Sequence, residues 1–217
     1  PTACSQTAGS AAGCELMVFD IYSTTKPIYV AGRDASGDSA GIASTWIYTL
    51  TTVGNYLYVG KSSSATACSQ TAGSAIGCEL QVYDISSTTN PIYVAGRDAS
   101  GYATGNYCET INFLTISGIY LYSCKDSNST ACSQTAGSAA GCELQVYDIS
   151  SSTNPLYVAG RDVSGDATGT SSNNILALTT SGNYLYVGNE LNSTACSQTA
   201  GSAEGCELMV FDITSTT

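Results

Sequence analysis

One segment, Ala-Cys-Ser-Gln-Thr-Ala-Gly-Ser-Ala, starts at Ala3, Ala67, Ala131 and Ala195, so the chain returns to itself every 64 residues. A fixed period of that length marks one supersecondary unit that buries its apolar faces against copies of itself. The 217 residues read as one continuous array, 1–217, with repeats 3–66, 67–130 and 131–194 and a partial repeat 195–217.

Each repeat carries four strand signals bounded by turn residues. In the middle copy, strand A runs over Thr110–Thr115, turns at Ser117-Gly118, and returns as strand B over Ile119–Tyr122. Glu143–Ile149 supplies strand C, and Pro155–Asp162 strand D, with a Ser/Thr/Asn turn between them. Apolar groups occupy both faces: Tyr56 and Tyr58 point one way, Leu57 and Val59 the other. No stretch has a 3.6-residue period, so further sheets must cover those faces. The expected fold is all-β: tandem four-stranded antiparallel blades, as a β-propeller or an open propeller-like array, stapled by disulfides. The count of four C strands against three each of A, B and D predicts a segment of a longer array, or a protomer that completes its blades with neighbours.

Gly-Asn-Tyr-Leu-Tyr-Val-Gly at 54–60 and 182–188, with Glu-Leu-Met-Val-Phe-Asp-Ile at 15–21 and Pro-Ile-Tyr-Val-Ala-Gly at 27–32, resembles the blade pattern of LVIVD-repeat β-propellers. The resemblance runs through the strands of every repeat. It departs where a cysteine segment is inserted between strands B and C, which that family joins by a short turn. It implies the propeller fold and no particular activity.

Ten cysteines form an even set, and eight of them are four copies of Cys-x9-Cys: Cys4/Cys14, Cys68/Cys78, Cys132/Cys142 and Cys196/Cys206. These read as local disulfides, each contributing about 2–3 kcal/mol by closing a Ser/Gly/Ala-rich loop with no core of its own. Zinc pairs sit closer together and recruit histidine, which is absent. The strands do not need the loops in order to pair, so reduction is expected to act at that edge. Cys108 and Cys124 occur only in the middle repeat and are expected to form an intrablade disulfide, with free or intermolecular thiols as the alternative.

A formal charge of −11 with no histidine excludes a phosphate-neutralising surface and an anionic-membrane patch, so neither nucleic acid nor membrane insertion is expected. Charged residues are 11% of the chain, and Ser, Thr, Gly, Ala and Tyr take their place. Such a surface suits the outside of a cell, and the expected location is extracellular, at the cell surface. Asn128-Ser129-Thr130 and Asn192-Ser193-Thr194 are glycosylation sequons.

In an antiparallel blade the B–C and D–A connections emerge at one end, and there the otherwise copied repeats differ. Trp46, Tyr102 and Tyr107 lie on that edge as candidate sugar-stacking aromatics. Asp34 with Asp38, and Asp162 with Asp166, form Asp-x-Ser-Gly-Asp turns with a weak likeness to a calcium loop. Tyr102 replaces the second acid in the middle copy, and these are also ordinary turn residues, so no metal and no cofactor is implied. Without histidine a Ser-His or Cys-His mechanism is excluded, and no two carboxylates stand out as a pair. The sequence points to a non-enzymatic extracellular structural or adhesive repeat protein that associates with itself or with neighbouring blades. The alternative is a carbohydrate-binding, lectin-like propeller using the variable edge.

Overall fold

Tyr, Val, Ile and Leu at alternating positions, cut by Gly, Ser and Asn, form short extended segments, and the computed structural model arranges them in four antiparallel sheets. It describes residues 4, 13–22, 26–35, 46–62, 68, 77–87, 89–99, 110–125, 132, 142–161, 163, 174–190, 196 and 205–215.

The first sheet pairs β1 (Leu16–Asp20) with β2 (Ile28–Arg33). The second orders β3 (Ile47–Val53), β4 (Tyr56–Lys61), β5 (Leu80–Asp84) and β6 (Ile92–Arg97). The third repeats it with β7 (Ile111–Ser117), β8 (Tyr120–Lys125), β9 (Leu144–Asp148) and β10 (Leu156–Arg161). The fourth holds β11 (Ile175–Ser181), β12 (Tyr184–Asn189) and β13 (Leu208–Asp212). In repeat terms these are C-D, A-B-C-D, A-B-C-D and A-B-C, the blade order read from the sequence.

Each A–B hairpin closes on two residues: Gly54-Asn55, Gly118-Ile119 and Gly182-Asn183. The glycines have φ of 54°, 59° and 58°, a backbone that primed hairpin turns need and that a side chain would strain. The turn therefore lies one residue later than the Ser117-Gly118 expected from sequence: Ser117 pairs with Tyr120. A bulge recurs in every A strand, at Tyr48, Asn112 and Leu176, and in every D strand, at Val30, Val94 and Val158. Such bulges bend and twist a strand locally.

Both faces of a sheet are used. Tyr58, with Tyr56 beside it, joins Leu80 and Val82 against Ile111, Leu121 and Tyr147 of the third sheet, while Val59 and Leu57 face Leu16 of the first. The third and fourth sheets meet through Tyr122, Leu144 and Val146 on one side and Ile175, Leu185 and Met209 on the other. Each fully buried Leu or Ile in these layers contributes roughly 1.5–3 kcal/mol relative to an exposed one. Strand A is where successive sheets come closest: β7 has Cα atoms within 8 Å of both β3 and β11. Hydrogen bonds join these strands, Leu114 N–H to Thr49 Oγ1 at 3.2 Å and Thr180 Oγ1 to the Ile116 carbonyl at 3.3 Å. The sheets thus lean together at A, a propeller-like stacking.

Candidate functional site

At the edge where β3 begins, Trp46 and Tyr48 form an open aromatic pair. Their ring centroids are 6.2 Å apart with planes inclined at 34°, and Trp46 is 65% exposed. Trp46 is fixed by its backbone, whose N–H donates to Ser62 Oγ at 3.0 Å and whose carbonyl accepts from the Ser62 N–H at 2.9 Å. Tyr48 occupies the bulge, a position that Asn112 and Leu176 fill in the later repeats. Of the three aromatics singled out in the sequence, Trp46 is among the described residues; Tyr102 and Tyr107 lie outside them. Tyr48 was missed, although a bulge residue is freed from the ladder and is a natural place for a side chain with another task.

Charged residues at matching positions of successive repeats are engaged in holding the sheets. Glu15, Glu79 and Glu143 each accept, through Oε2, the N–H of a residue just beyond strand D: Ala35, Ala99 and Val163, at 3.0, 3.2 and 3.3 Å. The Ala35 carbonyl in turn accepts from Lys61 Nζ at 2.8 Å and from Gln81 Nε2 at 2.9 Å, both in the next sheet. Ala99 repeats this with Lys125 at 3.3 Å and Gln145 at 2.8 Å. Both lysines are fully buried, and these bonds tie each post-D segment to the sheet that follows. Burial is the main cause that lifts the Glu15 carboxyl above its usual range; Asp34 beside it adds to the rise, and the backbone N–H groups oppose it.

A second tie runs from strand D. Arg33 donates through Nε to the Pro91 carbonyl at 2.5 Å and through Nη2 to Asn90 Oδ1, and Arg97 does the same with Pro155 and Asn154. At the C–D turns Asp20, Asp84, Asp148 and Asp212 accept the N–H two residues on, at 2.8–2.9 Å, as expected of turn caps. The Ser86 N–H and hydroxyl hold Asp84 below the usual carboxylate range, the Thr214 groups do so for Asp212, and the Ser150 hydroxyl leads for Asp148.

Tyr83 Oη donates to Gln81 Oε1 at 2.9 Å and is wholly buried, which pushes its hydroxyl far above the ordinary tyrosine value. Where Met17 and Met209 replace the glutamine, Phe19 and Phe211 replace the tyrosine. Gln81→Met alone leaves the Tyr83 hydroxyl without that acceptor and is expected to cost about 1–3 kcal/mol. Adding Tyr83→Phe should recover about 1 kcal/mol or more of it, because nothing buried is then orphaned. Urea unfolding of the four proteins measures the coupling, and strictly additive losses would refute it.

The four Cys-x9-Cys bridges are present: Cys4–Cys14, Cys68–Cys78, Cys132–Cys142 and Cys196–Cys206. They reach further than the loop edge. Cys78 and Cys142 are fully buried, with Sγ 3.6 and 3.5 Å from the hydroxyls of Tyr93 and Tyr157 on strand D. The expected Cys108–Cys124 bridge is corrected: Cys124 is a free, wholly buried thiol, pushed well above its ordinary pKa by desolvation. It lies across from Phe113 in the ladder, in the column that Gly60 and Gly188 occupy in neighbouring repeats, and packs with Leu144 and Ile175. Its volume fills a core, which is what a buried thiol ordinarily does.

Cys108, Asn128, Asn192, Asp38, Asp162 and Asp166 lie outside the described residues; Asp34 is described. Among the described residues no group of three His, Cys, Asp or Glu is placed to hold a metal ion. No helix among them is long and apolar enough to cross a membrane. Four disulfides belong to an oxidising compartment.

No curated protein matches the chain. The family model of the LVIVD repeat matches residues 177–193, which take in most of β11, the turn at Gly182 and all of β12. That hairpin recurs at 64-residue steps as β3–β4 and β7–β8, in sheets of one strand order. One hairpin thus matches the LVIVD repeat model, and the chain is a tandem array of four-stranded units with a disulfide just before each C strand.

Proposed function

We propose that the chain is a non-enzymatic extracellular structural protein, a self-associating repeat array of the cell surface. The observation that carries this reading is the use of the repeated polar side chains: Lys61, Gln81 and Arg33, like Lys125, Gln145 and Arg97 one repeat on, bind one sheet to the next, on post-D segments that Glu15 and Glu79 hold. A scaffold needs its charges at such joints, whereas a catalytic group is needed once, in one pocket. Electron microscopy of the assembled protein tests the reading. Ordered rings or fibres support it, and dispersed single particles at high concentration overturn it.

A second reading, glycan binding, is favoured by the exposed Trp46–Tyr48 pair, since tilted aromatics present the π-faces that stack on a pyranose ring. Under it, a glycan array shows binding to a defined sugar, and Trp46→Ala lowers that affinity at least about tenfold, or roughly 1.4 kcal/mol. Binding unchanged by Trp46→Ala and Tyr48→Ala removes the pair from consideration.

A further inference from the structure

The bridges of the two inner sheets are asymmetric. Cys68 and Cys132 are half-buried, whereas their partners Cys78 and Cys142 have no exposed surface. The second and third sheets each carry four strands and pack against a neighbour on either side, so the asymmetry belongs to the interior of the array. It recurs in the fourth sheet, where Cys196 is exposed and Cys206 buried; in the first, Cys4 and Cys14 are both half-buried.

The buried sulfurs share a second feature. A bridged sulfur carries no proton, so where it meets a tyrosine the hydroxyl is the donor. Tyr93 Oη lies 3.6 Å from Cys78 Sγ and Tyr157 Oη 3.5 Å from Cys142 Sγ, with Tyr29 and Cys14 at 3.9 Å in the first sheet. Sulfur and hydroxyl sit together on strand D, for a Cβ on Gly96 or Gly160 would come within 2.6 Å of both. Burial is the main cause that raises the Tyr93 and Tyr157 hydroxyls to about 12, so both stay protonated and able to donate throughout the neutral range.

Thiol–disulfide exchange runs in line with the S–S bond: a thiolate approaches one sulfur from outside, and the other departs as a thiolate. Access therefore decides which sulfur is attacked, and the surroundings of the other decide how well it leaves. Access falls to Cys68. Cys78 leaves into a site where desolvation opposes its charge and the Tyr93 hydroxyl supplies a hydrogen bond that offsets part of that cost.

We propose that the bridges of the inner sheets are sites of reversible covalent attachment for a small aliphatic thiol, which joins Cys68 or Cys132 while Cys78 or Cys142 leaves towards its tyrosine. The incoming thiolate forms an S–S bond to Cys68 Sγ, the Cys68–Cys78 bond breaks, and its electron pair stays on Cys78 Sγ. No oxidant is consumed. Seated on strand D, Cys78 then attacks the mixed disulfide at Cys68, expels the thiol and restores the bridge. The proposal goes beyond the array reading and does not depend on it.

The test incubates the native chain with cysteine at mildly alkaline pH, quenches with acid, and maps mixed disulfides by mass spectrometry without reduction. Cysteine is expected on Cys68 and Cys132 at least about tenfold more than on Cys78 and Cys142, and removing it by gel filtration should restore the bridges. Tyr93→Phe should slow attachment at Cys68 about threefold or more relative to Cys132, whose Tyr157 is intact. Tyr157→Phe makes the converse comparison and serves alone if the first variant loses its β-sheet circular dichroism. Adducts shared equally by the two sulfurs of a bridge, or formed only after urea has unfolded the sheets, overturn the attachment site. A variant that keeps its fold and leaves the two bridges reacting at an unchanged ratio overturns the part given to the tyrosine.

Discussion

Replacing Gly96 by alanine should destabilise the chain by about 3 kcal/mol, the upper end of the usual cost of overpacking, and lower its melting temperature by roughly 6–12 °C. A methyl group on Gly96 would stand 2.4 Å from Tyr93 Oη, 2.6 Å from Cys78 Sγ and 2.8 Å from Cys78 Cβ. The neighbours cannot easily retreat, since the sulfur is held by Cys68 and the tyrosine ring is packed edge-on to Tyr83 at 5.7 Å. The glycine exists so that the disulfide can lie flat on strand D. Gly188→Ala is the control, for its added carbon meets Ala177 Cβ at 3.2 Å and needs an adjustment of a few tenths of an ångström. Thermal unfolding that places both variants within about 0.5 kcal/mol of wild type would show that the bridge does not bear on the strand.

Raising the pH from 10 towards 12 should unfold the sheets, with tyrosinate absorbance rising in the same step. Desolvation is the main cause that moves Tyr93 and Tyr157 from the ordinary value of 10.0 to about 12, with Arg97 and Arg161 pulling the other way, and it moves Tyr83 higher still. Below pH 10 these hydroxyls are neutral in both the folded and the unfolded chain, so the stability they favour is fully present. Between pH 10 and 12 the unfolded chain releases their protons first, and stability falls until the folded values are passed. Loss of the β-sheet circular dichroism should therefore coincide with the part of the absorbance rise that the buried tyrosines contribute. All 15 tyrosines ionising together near pH 10 beneath an unchanged β-sheet spectrum would contradict the assigned burial.

The period, the A-B-C-D order and the division of Tyr58 from Val59 between two faces were legible in the sequence, because alternation and turn glycines are local signals. The joints were not. Arg33 and its acceptor Asn90 are 57 residues apart, and Lys61 reaches a carbonyl 26 residues back, so nothing within one strand announces either bond. Reading down the columns of the repeat would have helped. Arg and Asn-Pro recur one period apart, and Gln with Tyr alternates with Met and Phe as a unit. Cys124 misled for the same reason. Counted along the chain it completes an even set of thiols, whereas in its column it follows Gly60 and precedes Gly188, a choice of side-chain size. Of the candidate sugar-stacking residues, Trp46 was visible as a lone indole, but its partner Tyr48 depended on a bulge that no alternation pattern predicts.

Among the described residues the three buried clusters each join neighbouring sheets, and the hydrogen bonds between sheets span at most 65 residues. A ribosome making this protein therefore never has to wait for a distant segment. As each new sheet emerges, the surface it must cover has just been completed, so the apolar area open to other nascent polypeptides stays confined to the two ends of the stack and does not grow as repeats are added.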